Sequence, residues 1–103
     1  MPGVPDVLIT DSQGRFQLIE LKNCKTNSVK LSPHQVSFLS ANSSSLAWLL
    51  VRYTPTSAKD QFFLYSGDQA PEVQRNGLKT IALMREFQIE PILRLIDTHK
   101  LGI

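Results

Sequence analysis

The stretch Val7-Leu8-Ile9-Thr10-Asp11-Ser12-Gln13-Gly14-Arg15-Phe16-Gln17-Leu18-Ile19-Glu20-Leu21-Lys22-Asn23-Cys24 reads as a β-hairpin, and the fold is read outward from it. Its first arm is a short β-branched run behind Val4-Pro5. Proline is tolerated at the start of a strand and holds the residue before it extended. Asp11-Ser12-Gln13-Gly14 is a turn, and Gly14 suits the left-handed position of a three-residue hairpin loop. Phe16 to Cys24 is the return strand. With Ser12-Gln13-Gly14 as the loop, Asp11 faces Arg15, and counting back sets Asp6 opposite Glu20. Side chains alternate along a strand, so Glu20 and Lys22 share a face. Leu8, Thr10, Phe16 and Leu18 lie on that face too, so the charged end of the hairpin is expected to adjoin a buried end.

Beyond the hairpin, residues 25–30 are polar and aperiodic, which predicts a loop. Ser32-Pro33-His34-Gln35 has the pattern of a helix start: Ser32 as N-cap, Pro33 at the first helical position and Gln35 as capping-box partner. That helix is expected to run to about Asn42, where Asn42-Ser43-Ser44-Ser45 ends it. Residues 46–51 form a continuous apolar run whose length suits a strand covered on both faces. A loop at 54–60, a strand at 61–65 and a short helix at 71–76 stopped by Gly77 follow. Residues 80–87 are a candidate edge strand. Ile89, Ile92, Leu93 and Ile96 at helical spacing predict an amphipathic helix over 90–100. The order predicts an α/β fold, a mixed central β-sheet flanked by helices, in a single domain over 1–103.

Composition agrees with that class. A chain of 103 residues with 42% apolar and 19% charged residues is an ordinary globular domain, not a disordered tail, a collagenous repeat or a disulfide scaffold. The single cysteine, Cys24, excludes an intrachain disulfide and a Cys-rich zinc site, and points to a reducing compartment. Nothing reads as a signal peptide, and no run approaches the roughly 18–20 apolar residues of a membrane span. A cytoplasmic protein with no membrane partner is the expectation. The net charge of +2 is a mild basic bias compatible with nucleic acid.

The chemistry sits at the charged end of the hairpin. Directly opposed residues have Cβ atoms about 4.5–5.5 Å apart, so Asp6 and Glu20 repel one another unless a cation lies between them. Hard oxygen donors beside a lysine suit Mg²⁺ or Mn²⁺ rather than zinc, and the Leu21 carbonyl is a further donor. Lys22 beside such an ion has the chemistry to orient a water and stabilise charge on a phosphate. The plainer reading is a surface salt bridge of Glu20 with Lys22 or Lys25, worth little energetically. Gln35 is either only the capping partner of Ser32 or, sharing a helix face with Phe38, Leu39 and Asn42, a group aimed at the sheet. Lys25 and Lys30 either solvate a polar loop or contact phosphate, and Arg52 is a weaker candidate of the same kind. His34 reads as a solvated first-turn residue, His99 as a favourable charge at a helix end, and Cys24 and Trp48 as packing residues.

Gly3-Val4-Pro5-Asp6, thirteen residues, then Glu20-Leu21-Lys22 resembles the PD-(D/E)XK signature of metal-dependent nucleases. With Leu31-Ser32-Pro33-His34-Gln35, and Leu64-Tyr65-Ser66-Gly67-Asp68-Gln69-Ala70-Pro71-Glu72 further on, the chain is similar to the branch holding VRR-NUC domains and Holliday-junction-resolvase-like nucleases, particularly small phage-type members. The resemblance implies a minimal restriction-endonuclease-like core and in-line hydrolysis of DNA phosphodiesters by a metal-activated water, leaving a 5′-phosphate. It implies Asp6, Glu20 and the Leu21 carbonyl as metal ligands, Lys22 as the group that positions water or stabilises the transition state, and Gln35 approaching from the helix. A phage origin would place the protein in host cytoplasm. Related enzymes carry an acid on a helix ahead of the Pro-Asp strand. None of the five residues before Asp6 is acidic, so one metal is expected rather than two. A structure-selective enzyme acting on branched DNA needs two symmetric cuts and so a two-fold dimer; the terminal segment either covers the sheet of its own chain or, through Leu95, Leu101 and residues 80–87, forms the surface of such a homodimer. The rivals are a flap or nicking nuclease of the same fold and a catalytically silent nucleic-acid-binding domain.

Overall fold

The structure is a computed structural model and describes residues 6–42 and 46–98. The hairpin forms in the expected register. Strand β1 (Val7–Thr10) pairs antiparallel with β2 (Phe16–Cys24), with Val7 opposite Ile19 and Thr10 opposite Phe16. Gly14 sits at φ 77° in the loop, a conformation that costs a side-chain-bearing residue strain. Strand β2 leads through a loop into helix α1 (Pro33–Ala41), and β3 (Ala47–Tyr53) returns parallel to β2. Strand β4 (Gln61–Ser66) and the short β5 (Met84–Glu86) add antiparallel, giving a five-stranded mixed sheet in sequential order. Helix α2 (Ala70–Asn76) lies between β4 and β5, and α3 (Glu90–Thr98) ends the described chain. The α/β class with helices flanking one mixed sheet is the one expected.

The two faces of the sheet carry separate cores. One holds Cys24, Leu39, Ala47, Leu49, Val51, Phe63, Tyr65 and Val73 under α1 and α2. The other holds Ile19, Trp48, Leu50, Leu64, Ile92 and Ile96 under α3. Strand β3 contributes to both, which is why its sequence is apolar without alternation. Ser32 caps α1 as expected: its Oγ accepts from Gln35 N at 3.1 Å, and Gln35 Oε1 accepts from Ser32 N at 2.9 Å.

Three expectations need correction. Leu8 (61% exposed), Thr10 and Phe16 (67%) are open to solvent, because β1 is an edge strand that α1 and α2 do not cover. The candidate edge strand over 80–87 contracts to three paired residues. In α3, Leu93 is exposed while Leu95 packs partly against the core, so Leu95 is largely used by its own chain; Leu101 and His99 lie outside the described residues, as do Ser43–Ser45. The loop over 25–30 forms as expected, and buried Val29 and Leu31 pin it.

Sequence reading missed a buried polar network at the turn. The Asp11 carboxylate accepts from Gln13 N (2.9 Å), Arg15 N (3.0 Å), Arg15 Nε (2.8 Å) and Gln17 Nε2 (2.6 Å). Gln17, fully buried, also donates to the Ile96 carbonyl at 2.6 Å, and its Oε1 accepts from Trp48 Nε1 at 2.6 Å. Replacing Gln17 by leucine leaves three buried polar groups without that partner. Each such loss costs about 1–3 kcal/mol, so Gln17→Leu is expected to destabilise the domain by about 3 kcal/mol or more in urea denaturation.

Candidate active site

The last described rung of the β1–β2 ladder, Val7 opposite Ile19, carries the register one step further to Asp6 and Glu20. That register sets the two carboxyl groups side by side, near enough for Asp6 to perturb Glu20. Asp6 is exposed at the strand start, where its Oδ2 accepts from Leu21 N at 3.2 Å. Glu20 is only 2% exposed, beneath α1. Its Oε2 accepts from Gln35 Nε2 at 3.2 Å, whereas Oε1 is buried with no donor. Burial, and then the neighbouring Asp6, push its pKa up to about 7, with Lys22 opposing the shift.

Gln35 therefore does both things its position suggested. Its backbone N–H and side-chain oxygen close the cap with Ser32, and its amide N–H₂ reaches across to Glu20. The cap fixes the helix start, and the helix start fixes the amide. Lys22 is half-buried on the same sheet face as Glu20. The surface salt bridge is not what forms: among the described residues Lys22 and Lys25 make no ion pair, and the ion pairs present are Arg15–Asp11 and Arg52–Asp60. Within β2 the even-numbered residues hydrogen-bond toward β3, as Leu18 N and Cys24 O do. Leu21 therefore turns its N–H and C=O toward the β1 side, beside Asp6.

Lys22, Lys25 and Lys30 line one open cavity of about 400 Å³ with Asn23, Cys24, Thr26 and Ser28. Arg52 is absent from that cavity: it lies on the opposite face of the sheet in register with Asn23, is held by Asp60 at 2.7 Å, and lines a second cavity with Leu21, Lys22 and Asn23. His34 is exposed. Asn23, Thr26 and Ser28 were not read as site residues. The signal that finds them is a charge asymmetry: between Glu20 and Asp60 the sequence has no acidic residue, while it has Lys22, Lys25, Lys30, Arg52 and Lys59.

Among the described residues no group of three or more His, Cys, Asp or Glu side chains gathers to hold a metal. The site offers two carboxylates and a carbonyl, which suits an ion that keeps much of its water, as Mg²⁺ does, better than zinc or calcium. The buried Glu20 Oε1, which has no hydrogen-bond donor, is the atom such an ion would satisfy. Comparison with known proteins finds no matching family model, no matching curated protein and no matching solved structure.

The raised pKa of Glu20 sets a sign for stability. Between the ordinary glutamate value near 4.5 and about 7, the unfolded chain releases this proton while the folded chain keeps it. The contribution from this group is therefore full at low pH and lost as pH rises through 7. In EDTA, Glu20→Gln is expected to lose that decline and to be at least as stable as the parent at pH 8. Thermal melts of both proteins at pH 5 and pH 8 check this; a variant that melts well below the parent at pH 8 contradicts it.

Proposed function

We propose that the protein is a divalent-metal-dependent endonuclease that hydrolyses DNA phosphodiester bonds. The observation that carries this reading is the buried Glu20 carboxyl beside Asp6, in which Gln35 holds Oε2 and Oε1 has no hydrogen-bond donor. A purely structural carboxylate in that position would be expected to have its donors. The pattern of Asp6, Glu20-Leu21-Lys22 and Gln35, and its likeness to the PD-(D/E)XK nucleases, support the same reading.

In this reading Asp6, Glu20 and the Leu21 carbonyl hold Mg²⁺ or Mn²⁺. When bound, the ion supplies an acidified water and positive charge next to the scissile phosphate. The chain's own groups do the rest. Gln35 fixes the rotamer of Glu20, so its role is positioning. Lys22 presents an ammonium to the phosphate oxygens, where negative charge builds as water oxygen bonds to phosphorus and the P–O3′ bond breaks. The leaving oxygen takes a proton to give a 3′-hydroxyl, and the other product keeps the 5′-phosphate. Branched DNA is the substrate the resemblance favours, cut by a homodimer. The exposed Ile81, Leu83 and Phe87 beside β5 give such a dimer an apolar edge.

Cleavage of labelled single-stranded, duplex, flap and four-way-junction DNA with Mg²⁺, with Mn²⁺ and with EDTA tests the assignment. Lys22→Ala is expected to lower the rate roughly 10²–10³-fold while DNA binding persists, and Gln35→Ala to lower it less. Full activity in Lys22→Ala would remove the nuclease assignment from these residues. Sedimentation with and without junction DNA is expected to show a dimer. A monomer throughout leaves flap or nick cleavage, which needs one site.

A further inference from the structure

We propose that the segment between β2 and α1 is a preorganised clamp for a phosphate group of the nucleic-acid strand. It rests on the nucleic-acid part of the reading above and not on cleavage. Lys22, Lys25 and Lys30 converge on one cavity with Thr26, Ser28 and Asn23, and no acidic side chain lines it. Among the described residues none of the three lysines is ion-paired, since the ion pairs formed are made by arginines. Uncompensated cations around hydroxyl and amide groups match an oxyanion in charge and in hydrogen bonding. The ring continues without an acid into the first turn of α1.

The loop is held in shape from beneath. Val29 and Leu31 are 4% and 8% exposed and belong to the core under α1 and α2. Gln74 Nε2 donates to the Leu31 carbonyl at 3.1 Å. Leu78 N donates to the Asn27 carbonyl at 2.8 Å. That last bond exists because residue 77 is glycine: at φ 59°, a Cβ there would stand 2.0 Å from the Asn27 carbonyl oxygen. Loops that merely solvate lysines need no such bracing. A braced loop has lost its conformational entropy before a ligand arrives, which is what raises affinity for a small anion.

The test measures binding of the full chain in EDTA, so that no cleavage occurs, by anisotropy of single-stranded oligonucleotides labelled at the 3′ end across a salt series. Three probes separate the source of the phosphate: a 5′-phosphorylated strand, the same strand with a 5′-hydroxyl, and an internally labelled circle of equal length. The double variant Lys25→Ala/Lys30→Ala is expected to lower the salt slope by about 1.4, two phosphate contacts on single-stranded DNA. Lys59→Ala/Arg94→Ala, with the same two charges removed elsewhere, is expected to lower it by less than half as much. A preference for the 5′-phosphorylated strand that the first double variant abolishes identifies a terminal phosphate. Equal, lysine-dependent binding of all three probes identifies a backbone phosphate. Equal losses in the two double variants overturn the clamp. Absence of cleavage under every metal condition would remove the nuclease reading and leave this measurement as it stands.

Discussion

The register of one hairpin governs this protein, and the Asp11 carboxylate fixes it. Strand side chains repeat with a period of two, so a slip of one residue would carry Glu20 and Lys22 to the opposite face and separate Asp6 from Glu20. Asp11 prevents the slip by gathering the N–H groups of Gln13 and Arg15, the Arg15 guanidinium and the Gln17 amide. Burial alone would push its pKa up, but the hydrogen bonds from Arg15, Gln17 and Gln13 outweigh that and bring it below the ordinary value. Gln17 passes the constraint to Trp48 on β3 and to the end of α3, and Ser12 adds two hydrogen bonds to Asp97. The turn is tied to the far helix, and the strand ends that leave the turn are tied with it.

That same hairpin has an opposite end built on the opposite principle. Glu20 is as buried as Asp11 yet receives a single hydrogen bond, from Gln35, and faces another carboxylate. Two buried acids on one strand pair, one with its acceptors filled and one without, are not explained by packing. Along this hairpin the unmet hydrogen-bonding capacity lies at Glu20.

The sequence made the hairpin, its register, the capped start of α1 and the doubly covered β3 legible because each rests on local chemistry: a glycine in a turn, a serine and glutamine three apart, an unbroken apolar run. The approach of Gln35 to Glu20 was also legible, since a helix start that is fixed by its cap fixes where its first turn points. The Asp11–Gln17–Trp48 network was not, because it joins residues far apart in sequence and closes only when β3 and the end of α3 are laid against Gln17. The exposure of Leu8 and Phe16 was hidden for a related reason: alternation says which face a residue takes and not how far the covering helices extend. Arg52 fell on the wrong side through the same two-residue period, since it is in register with Asn23 and not with Lys22.

Placement of the charges follows from topology. Strands β2 and β3 are parallel, so both deliver their C-terminal ends, and the loops that leave them, to one edge of the molecule, while α1 begins there. Open α/β sheets place their ligands at this edge because the loops are free to vary while the strands stay packed. Here every charged residue between Glu20 and Asp60 is a cation, and the loops that leave β2 and β3 carry Lys25, Lys30 and Lys59 at that edge. A net charge of +2 for the whole chain conceals this, because the five cations of that stretch are offset by an excess of acids elsewhere. The consequence is that Lys22, Lys25 and Lys30 gather on one cavity at that edge, while Arg52 is held by Asp60 on the other face of the sheet.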